Sequence, residues 1–396
     1  MSFQEPFMKG KIPANTIPYS KQLISQEDIR QVVETLKSDY LTQGPKIKEF
    51  EELLCRVSGA KHAVLFNSGT SALHGAYFAL GIGKGDEVIT TAMTFAGTSN
   101  AALYLGARPV FVDTEVDNPN IDVSQIEAKI TKKTKLIVPV HFSGHPVDLE
   151  GIYKIAKKHN LSVVEDACHA IGSKYKNSTV GDCKYSDMTV MSFHPVKHIT
   201  TGEGGVVLTN NKKFFEILKK FRTHGITKEN LNKRNEGLWY HEMQLLGFNY
   251  RITDIQAALG ISQIKHLEEF VLRRREIAEI YFKTFKDNPY FEMVQEKSYA
   301  YNSYHLFSIL LNQKLADKKK AIFKSLRDKG LWVQVHYIPV YLHPYYQENG
   351  FKNVKCKNAE EFYKREISIP CYPGMTKKDI DYTIQTILET LKEFSK

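Results

Sequence analysis

Three short segments carry residue types that could do chemistry together. Asn67-Ser68-Gly69-Thr70-Ser71 gathers hydroxyls and small residues where a β-branched run gives way to a helix-like pattern. The N–H groups of a first helical turn converge there on an anion, although the same capped turn occurs without a ligand in many α/β proteins. Glu165-Asp166-Ala167-Cys168-His169 sets two carboxylates at the end of an apolar run. A charge buried there needs a partner; an Asp capping the following helix is the plain alternative. The stretch SFHPVKHITTGEGG, Ser192 to Gly205, places Lys197 among small residues ahead of a glycine-rich return. Lysines are usually solvated, so none of the three segments decides the matter alone. Together they supply a phosphate-binding turn, a carboxylate for a ring nitrogen and an amine for an aldehyde, which are the groups that hold pyridoxal 5'-phosphate.

The elements that must position these residues follow one cadence of β-branched run, turn and helical pattern. Strands are predicted at His62–Phe66, Glu87–Thr91, Pro109–Asp113, Leu136–His141, Ser162–Glu165, Met188–Ser192 and Gly205–Thr209. Helical periodicity covers Ser71–Leu80, Gly97–Leu105 and Leu149–His159. The alternation predicts a parallel, doubly wound layer with right-handed crossovers, and all three segments fall at strand ends, where such a sheet presents its ligands. Ile255–Phe285 reads as one or two long charged helices with Gly260 as a weak breaker. Beyond Asn288, strands at His305–Leu311 and Val333–His336 and helices at Asp317–Lys329 and Lys377–Phe394 predict a smaller α+β unit. The expected division is 1–254 for the large domain, its first dozen residues a loose arm, then 255–287 for the connecting helices and 288–396 for the small domain.

Composition narrows the function classes. The chain has 396 residues, 54 Lys and Arg against 44 Asp and Glu, and 42% hydrophobic residues, which is ordinary for a globular protein and leaves out disordered chains. No apolar run reaches the roughly 18 residues of a membrane helix, and MSFQEPFMKGK lacks the pattern of a secretory signal. A cytoplasmic protein is expected. Its five cysteines form no C-x-x-C pair, so neither zinc nor a disulfide framework is expected. The +10 charge is scattered rather than gathered in an arm, which predicts attraction of anionic metabolites over nucleic acid. Gly81-Ile82-Gly83-Lys84-Gly85 precedes a strand and lacks G-K-[ST], so it reads as a turn. HExxH and G-x-S-x-G are absent, and with them the metalloprotease and hydrolase readings.

NSGTSAL, EDACHAIG, SFHPVKHITTGEGG and GFNYRITDIQAALG occur in the order and spacing of one family. From about Tyr19 onward the chain resembles the sugar-nucleotide aminotransferases (DegT/DnrJ/EryC), fold-type I pyridoxal-phosphate enzymes that make aminosugars. DNPYF, HLFSILL, QVHYIPVY and NAEEFYKREISIPC resemble the members that act in pseudaminic acid synthesis. The resemblance implies that Lys197 bonds to the cofactor and later shuttles a proton, and that Asp166 pairs with the ring nitrogen. It implies Gly69, Thr70 and Ser192 on the phosphate, Phe95 stacked on the ring and His169 close by. Asn249 would reach the site of a neighbouring subunit, making the active form a homodimer. Tyr19, the segment Asp39-Tyr40-Leu41-Thr42 and the segment Gln334-Val335-His336-Tyr337 would touch the nucleotide-sugar, together with Gly69, Ser192 and Asn249. The implied reaction moves the amino group of L-glutamate to a UDP-linked 4-keto-6-deoxyhexose, with other nucleotide-linked ketosugars as the alternative acceptors.

Two rivals are separable in the sequence. A related group of ketosugar dehydratases carries His where the cofactor lysine stands; here Lys197 holds that place and His198 follows it. A non-catalytic regulator binding DNA or sensing a sugar would need a reader module, and the predicted elements leave no room for one.

Overall fold

The computed structural model describes residues 16–233 and 236–396, so the expected N-terminal arm lies outside the described residues. Seven strands form the large sheet: β1 (His62–Phe66), β2 (Glu87–Thr91), β3 (Arg108–Val112), β4 (Thr134–Val138), β5 (Ser162–Asp166), β6 (Met188–Ser192) and β7 (Gly205–Thr209). Their order is β1-β7-β6-β5-β4-β2-β3. β7 runs antiparallel to both of its neighbours, and the other pairs are parallel. The sheet is therefore mainly parallel rather than wholly so.

Both faces are covered, which is why the strands read as near-continuous apolar runs. Six helices belong to this part: α1 (Gln26–Leu36), α2 (Pro45–Ser58), α3 (Gly69–Ala79), α4 (Gly97–Tyr104), α5 (Leu149–His159) and α6 (Lys212–Phe221). Val64, Phe66 and Val190 pack with Ala72, Ala76 and Phe221 from α3 and α6. Leu65, Met191 and Leu208 pack with Phe50 of α2 and with Ala257 and Ile261 further along the chain.

The 255–285 stretch is two helices, α7 (Asp254–Gln263) and α8 (Leu267–Thr284), separated by a 3-10 turn at Ile264–His266. Gly260 does not break α7. A Cβ at that position would stand 2.4 Å from the Phe50 ring, so the glycine lets α7 lie close against α2. α7 belongs to the core of the large sheet, whereas Ile277, Ala278 and Tyr281 of α8 join a second core.

That second core surrounds an antiparallel sheet of β8 (Phe291–Met293), β9 (Phe307–Leu311) and β10 (Glu366–Ile369), in that order. Helices α9 (Lys319–Asp328), α10 (Lys357–Arg365) and α11 (Lys377–Ser395) accompany it. The strand expected at Val333–His336 does not form. Leu331–Trp332 pairs with Ile17–Pro18, and Gln334 makes a single bridge to Ser368. The backbone beyond Gln334 is thereby free to line a cavity.

Candidate active site

The carboxyl ends of β1, β5 and β6 deliver the three chemical segments to one cavity of about 400 Å³. Ser68 caps α3: its hydroxyl accepts from the Ser71 N–H at 3.1 Å, and Ser71 Oγ accepts from the Ser68 N–H. The N–H groups of Gly69 and Thr70, in the first turn, have no intrahelical acceptor, and both residues line the cavity, an arrangement suited to an anion. The site is tight at Gly69, where a Cβ would stand 3.0 Å from Ser192 Cβ and 3.3 Å from Cys168 Sγ. Gly205, where β7 begins, lets the Ser68 carbonyl approach to 2.5 Å of where its own Cβ would be.

Glu165 and Asp166 take opposite faces of β5, as successive strand residues must. Glu165 faces away from the cavity, accepting from Ser186 Oγ at 2.5 Å and pairing with His141 Nε2 at 2.8 Å. Asp166 lines the cavity and is 4% exposed. Its Oδ2 accepts from Thr98 Oγ1 at 2.7 Å and its Oδ1 from the Cys168 N–H at 3.2 Å. Thr94 Oγ1 lies 2.7 Å from Thr98 Oγ1 and donates to it, because the Thr98 proton is committed to the carboxylate. Among the described residues no cation forms an ion pair with Asp166.

Lys197 lies just past β6. Burial lowers its amine to about 8, opposed in part by the Asp166 carboxylate and more weakly by Glu203. Its Nζ lies 3.4 Å from His305 Nε2. Four histidines surround it (His169, His198, His305 and His336), all pushed below their ordinary range by burial first and then by neighbouring cations. His169 is neutral with its proton on Nε2: Nδ1 accepts from the Ser143 N–H at 3.3 Å, so Nε2–H donates to Tyr337 Oη at 3.0 Å. His198, which follows the lysine, is buried and donates from Nε2 to the Ser303 carbonyl at 3.0 Å.

A second cavity of about 870 Å³ adjoins the first, with Thr94, Phe95, Lys197 and Tyr337 lining both. Tyr19 and the Gln334-Val335-His336-Tyr337 segment form part of its wall. Burial raises the Tyr19 phenol to about 12. Gly69, Thr70, Phe95, Asp166, His169, Ser192 and Lys197 all line the inner cavity. Asp39, Tyr40, Leu41, Thr42 and Asn249 line neither cavity of their own chain. The first four lie against the start of α7, where Thr42 bridges Thr253 and the Leu41 carbonyl accepts from the Asp254 N–H. Asn249 bridges Thr223. Sequence reasoning missed Thr98 and His305. Thr98 had a weak signal, since it falls near the start of a predicted helix at a strand end, whereas no spacing marks His305.

Among the described residues neither the buried Asp166 nor Lys197 forms an ion pair, and the first turn of α3 lies on the same cavity. A protonated ring nitrogen, an aldehyde and a phosphate on one small molecule would satisfy all three, and pyridoxal phosphate has that form. With this sheet order, the site defines a fold-type I aminotransferase. Residues 22–388 match the profile of the DegT/DnrJ/EryC1/StrS aminotransferase family, and the chain belongs to that family. It is 42% identical over 383 residues to the UDP-4-amino-4,6-dideoxy-N-acetyl-beta-L-altrosamine transaminase of Campylobacter jejuni, spanning 96% of this chain and 99% of that one. The structure matches Helicobacter pylori PseC, an aminotransferase of pseudaminic acid biosynthesis, with a TM-score of 0.90 and 38% identity over 96% of this chain and all of that one. The PLP form of the sugar aminotransferase candidate Spr1654 from Streptococcus pneumoniae matches at 0.89 and 29%, over 96% of this chain and 99% of that one. The protein is a pyridoxal-phosphate-dependent transaminase. Among the described residues no helix is long and apolar enough to cross a membrane.

Proposed function

We propose that this transaminase moves the amino group of L-glutamate to carbon 4 of UDP-2-acetamido-2,6-dideoxy-β-L-arabino-hex-4-ulose, giving the 4-amino-altrosamine product and 2-oxoglutarate in pseudaminic acid biosynthesis. The observation that carries this reading is near full-length identity of 40 to 43% to transaminases of that name in two organisms. The bound cofactor supplies an electron sink for the carbanion formed when the substrate carbon loses its proton.

In this reading Lys197 holds the cofactor aldehyde and, once released, carries the proton between substrate and cofactor carbons. Its lowered basicity suits an amine that must give and take a proton near neutrality. Asp166, aimed by Thr98, keeps the ring nitrogen protonated. Gly69, Thr70 and Ser192 hold the phosphate at the start of α3, Phe95 covers the ring, and His169 is fixed beside it by Ser143 and Tyr337. Tyr19 and 334–337 contact the sugar-nucleotide from the outer cavity.

The reading includes a homodimer with shared sites. Its support is the exposure of large apolar side chains in the hairpin beside Asn249: Leu238 is 96% exposed, and Trp239 and Leu246 are each 73% exposed. Tyr40 and Leu41 are also exposed, so 39–42 and Asn249 would complete the partner's site rather than their own. We further propose a large domain of residues 1–254, connecting helices 255–287 and a small domain 288–396, in a cytoplasmic enzyme that binds no nucleic acid.

A second acceptor is favoured by one observation. The spore coat polysaccharide protein SpsC of Bacillus subtilis is 39% identical over 380 residues, so a different nucleotide-linked ketosugar is the alternative. Mass analysis after incubating the holoenzyme with glutamate and each of several UDP- and dTDP-4-ketosugars decides between them. Amination of the arabino-hexulose supports the proposal; amination of another ketosugar alone overturns it.

A further inference from the structure

The outer cavity has a charge pattern that the chemistry at Lys197 does not use. Its lining contains no Asp or Glu and two ammonium groups, Lys197 at the inner end and Lys319. Lys319 opens α9 between Lys318 and Lys320, and the first turn of that helix carries no acidic residue. Lys318 is committed elsewhere, donating to the Phe394 carbonyl at 2.6 Å. Lys319 itself donates to the Tyr363 carbonyl and lies 4.8 Å from the centre of the Tyr363 ring. Neither partner carries a charge. Glu366, behind the wall, accepts from Ser308, Ser368 and the His336 N–H, and no carboxylate forms an ion pair with Lys319 among the described residues. Burial lowers this amine to about 8, with Glu366 opposing.

A partly desolvated cation left without an anion is costly unless a ligand brings the anion. L-Glutamate is small for a cavity of about 870 Å³, whereas a nucleotide-sugar is long and carries its charge on the diphosphate, away from the reacting carbon. We infer that Lys319 anchors the diphosphate of the nucleotide-sugar and sets the requirement for a nucleoside diphosphate on the acceptor. The inference rests on the proposed acceptor class and adds a residue and a subsite to it. With Lys319 on the diphosphate, the ketose extends inward past His336 and Tyr337 toward Lys197, and Tyr345 and Tyr346 are left to the outer part of the ligand.

Binding of UDP and of uridine to the holoenzyme, measured by calorimetry, tests this without turnover. UDP is expected to bind the wild type more tightly than uridine. Both K319Q and K319M should lose about 10- to 100-fold of UDP affinity, the worth of a charge-assisted hydrogen bond, while K319R recovers most of it. The visible band of the bound cofactor reports whether each variant is folded, and K319M keeps the aliphatic stem against Tyr363. Wild-type UDP affinity in the folded variants would overturn the inference. So would a variant whose defect falls on the glutamate half-reaction instead of UDP binding, because Lys319 would then serve the donor carboxylate. If dTDP replaces UDP with the same dependence on Lys319, the inference stands and the uridine assignment falls. If neither nucleoside diphosphate outbinds its nucleoside, the inference fails, and the aminotransferase reading is judged separately by whether glutamate discharges the cofactor band.

Discussion

The basicity of Lys197 makes a prediction that pH alone can test. Burial brings its amine from the usual 10.5 to about 8. At pH 7 an amine with that value is about one-tenth neutral, whereas an ordinary lysine is neutral in roughly three molecules in ten thousand, a difference of about 300-fold. Only the neutral amine attacks an aldehyde. When cofactor-stripped enzyme is mixed with pyridoxal phosphate, the rate at which the visible band of the lysine-bound cofactor returns should rise about tenfold per pH unit from about pH 6 to about pH 8 and then level off. Asp166 and, more weakly, Glu203 stabilise the ammonium form, and the Cys168 thiol is itself pushed well above its ordinary range by burial, so Asp166 is the larger of the two carboxylate charges that oppose the shift. Removing that charge in D166N should move the midpoint further down. The sign for stability runs the other way from a salt-bridged lysine: the folded chain holds this proton more weakly than the unfolded chain, so the group costs the cofactor-free fold stability below its folded pKa, and that cost fades as pH rises from about 8 toward about 10.5. Stopped-flow absorbance reads the rate. A wild-type rate still climbing tenfold per unit at about pH 10 would refute the argument.

T98V removes the hydroxyl that donates to Asp166 at 2.7 Å while keeping its shape. The dissociation constant for pyridoxal phosphate should rise about tenfold or more, since hydrogen bonds to charged groups are worth about 1.5–3 kcal/mol; an unchanged titration would contradict the role given to Thr98. G205A places a methyl 2.5 Å from the Ser68 carbonyl oxygen and 2.8 Å from Gly69 Cα. It should lower both the melting temperature and cofactor affinity, and wild-type values for both would show that the turn has slack it is not expected to have. L246E puts a charge on a side chain that is 73% exposed in the single chain. Light scattering should report a monomer and turnover should be lost; a fully active dimer would rule this hairpin out of the interface.

The large sheet was legible because both of its faces are covered, so each strand is a compact apolar run between polar turns, and the ends of those runs name the site. The helices α1 and α2 passed unread despite local signals. Ser25 and Asp28 form a capping box at the start of α1, Pro45 sits at the first turn of α2, and Gly59 closes α2 at φ 86°. Other features had no local signal. Glu165 and Asp166 are adjacent in sequence, and only the register of β5 sends one to His141 and the other to the cavity. Thr98 meets Asp166 across 68 residues and His305 meets Lys197 across 108, so their roles exist only once the chain is folded. The α+β nature of the C-terminal part was readable, but its short edge strands β8 and β10 were not. Val333–His336 reads as a strand because two β-branched valines alternate with polar residues, yet only Gln334 bridges a neighbouring strand, Val333 is buried in the second core, and Gln334, Val335 and His336 line the cavity.

The most direct test of the central claim, that Lys197 makes this chain an aminating enzyme, is the absorption spectrum of the purified holoenzyme before and after adding L-glutamate, with K197A alongside. Glutamate is expected to discharge the visible band of the lysine-bound cofactor with 2-oxoglutarate appearing in equal amount, and K197A, though still able to bind the cofactor, should turn over no substrate. A wild-type spectrum unmoved by glutamate, or a K197A variant that aminates the ketosugar at the wild-type rate, would contradict that claim.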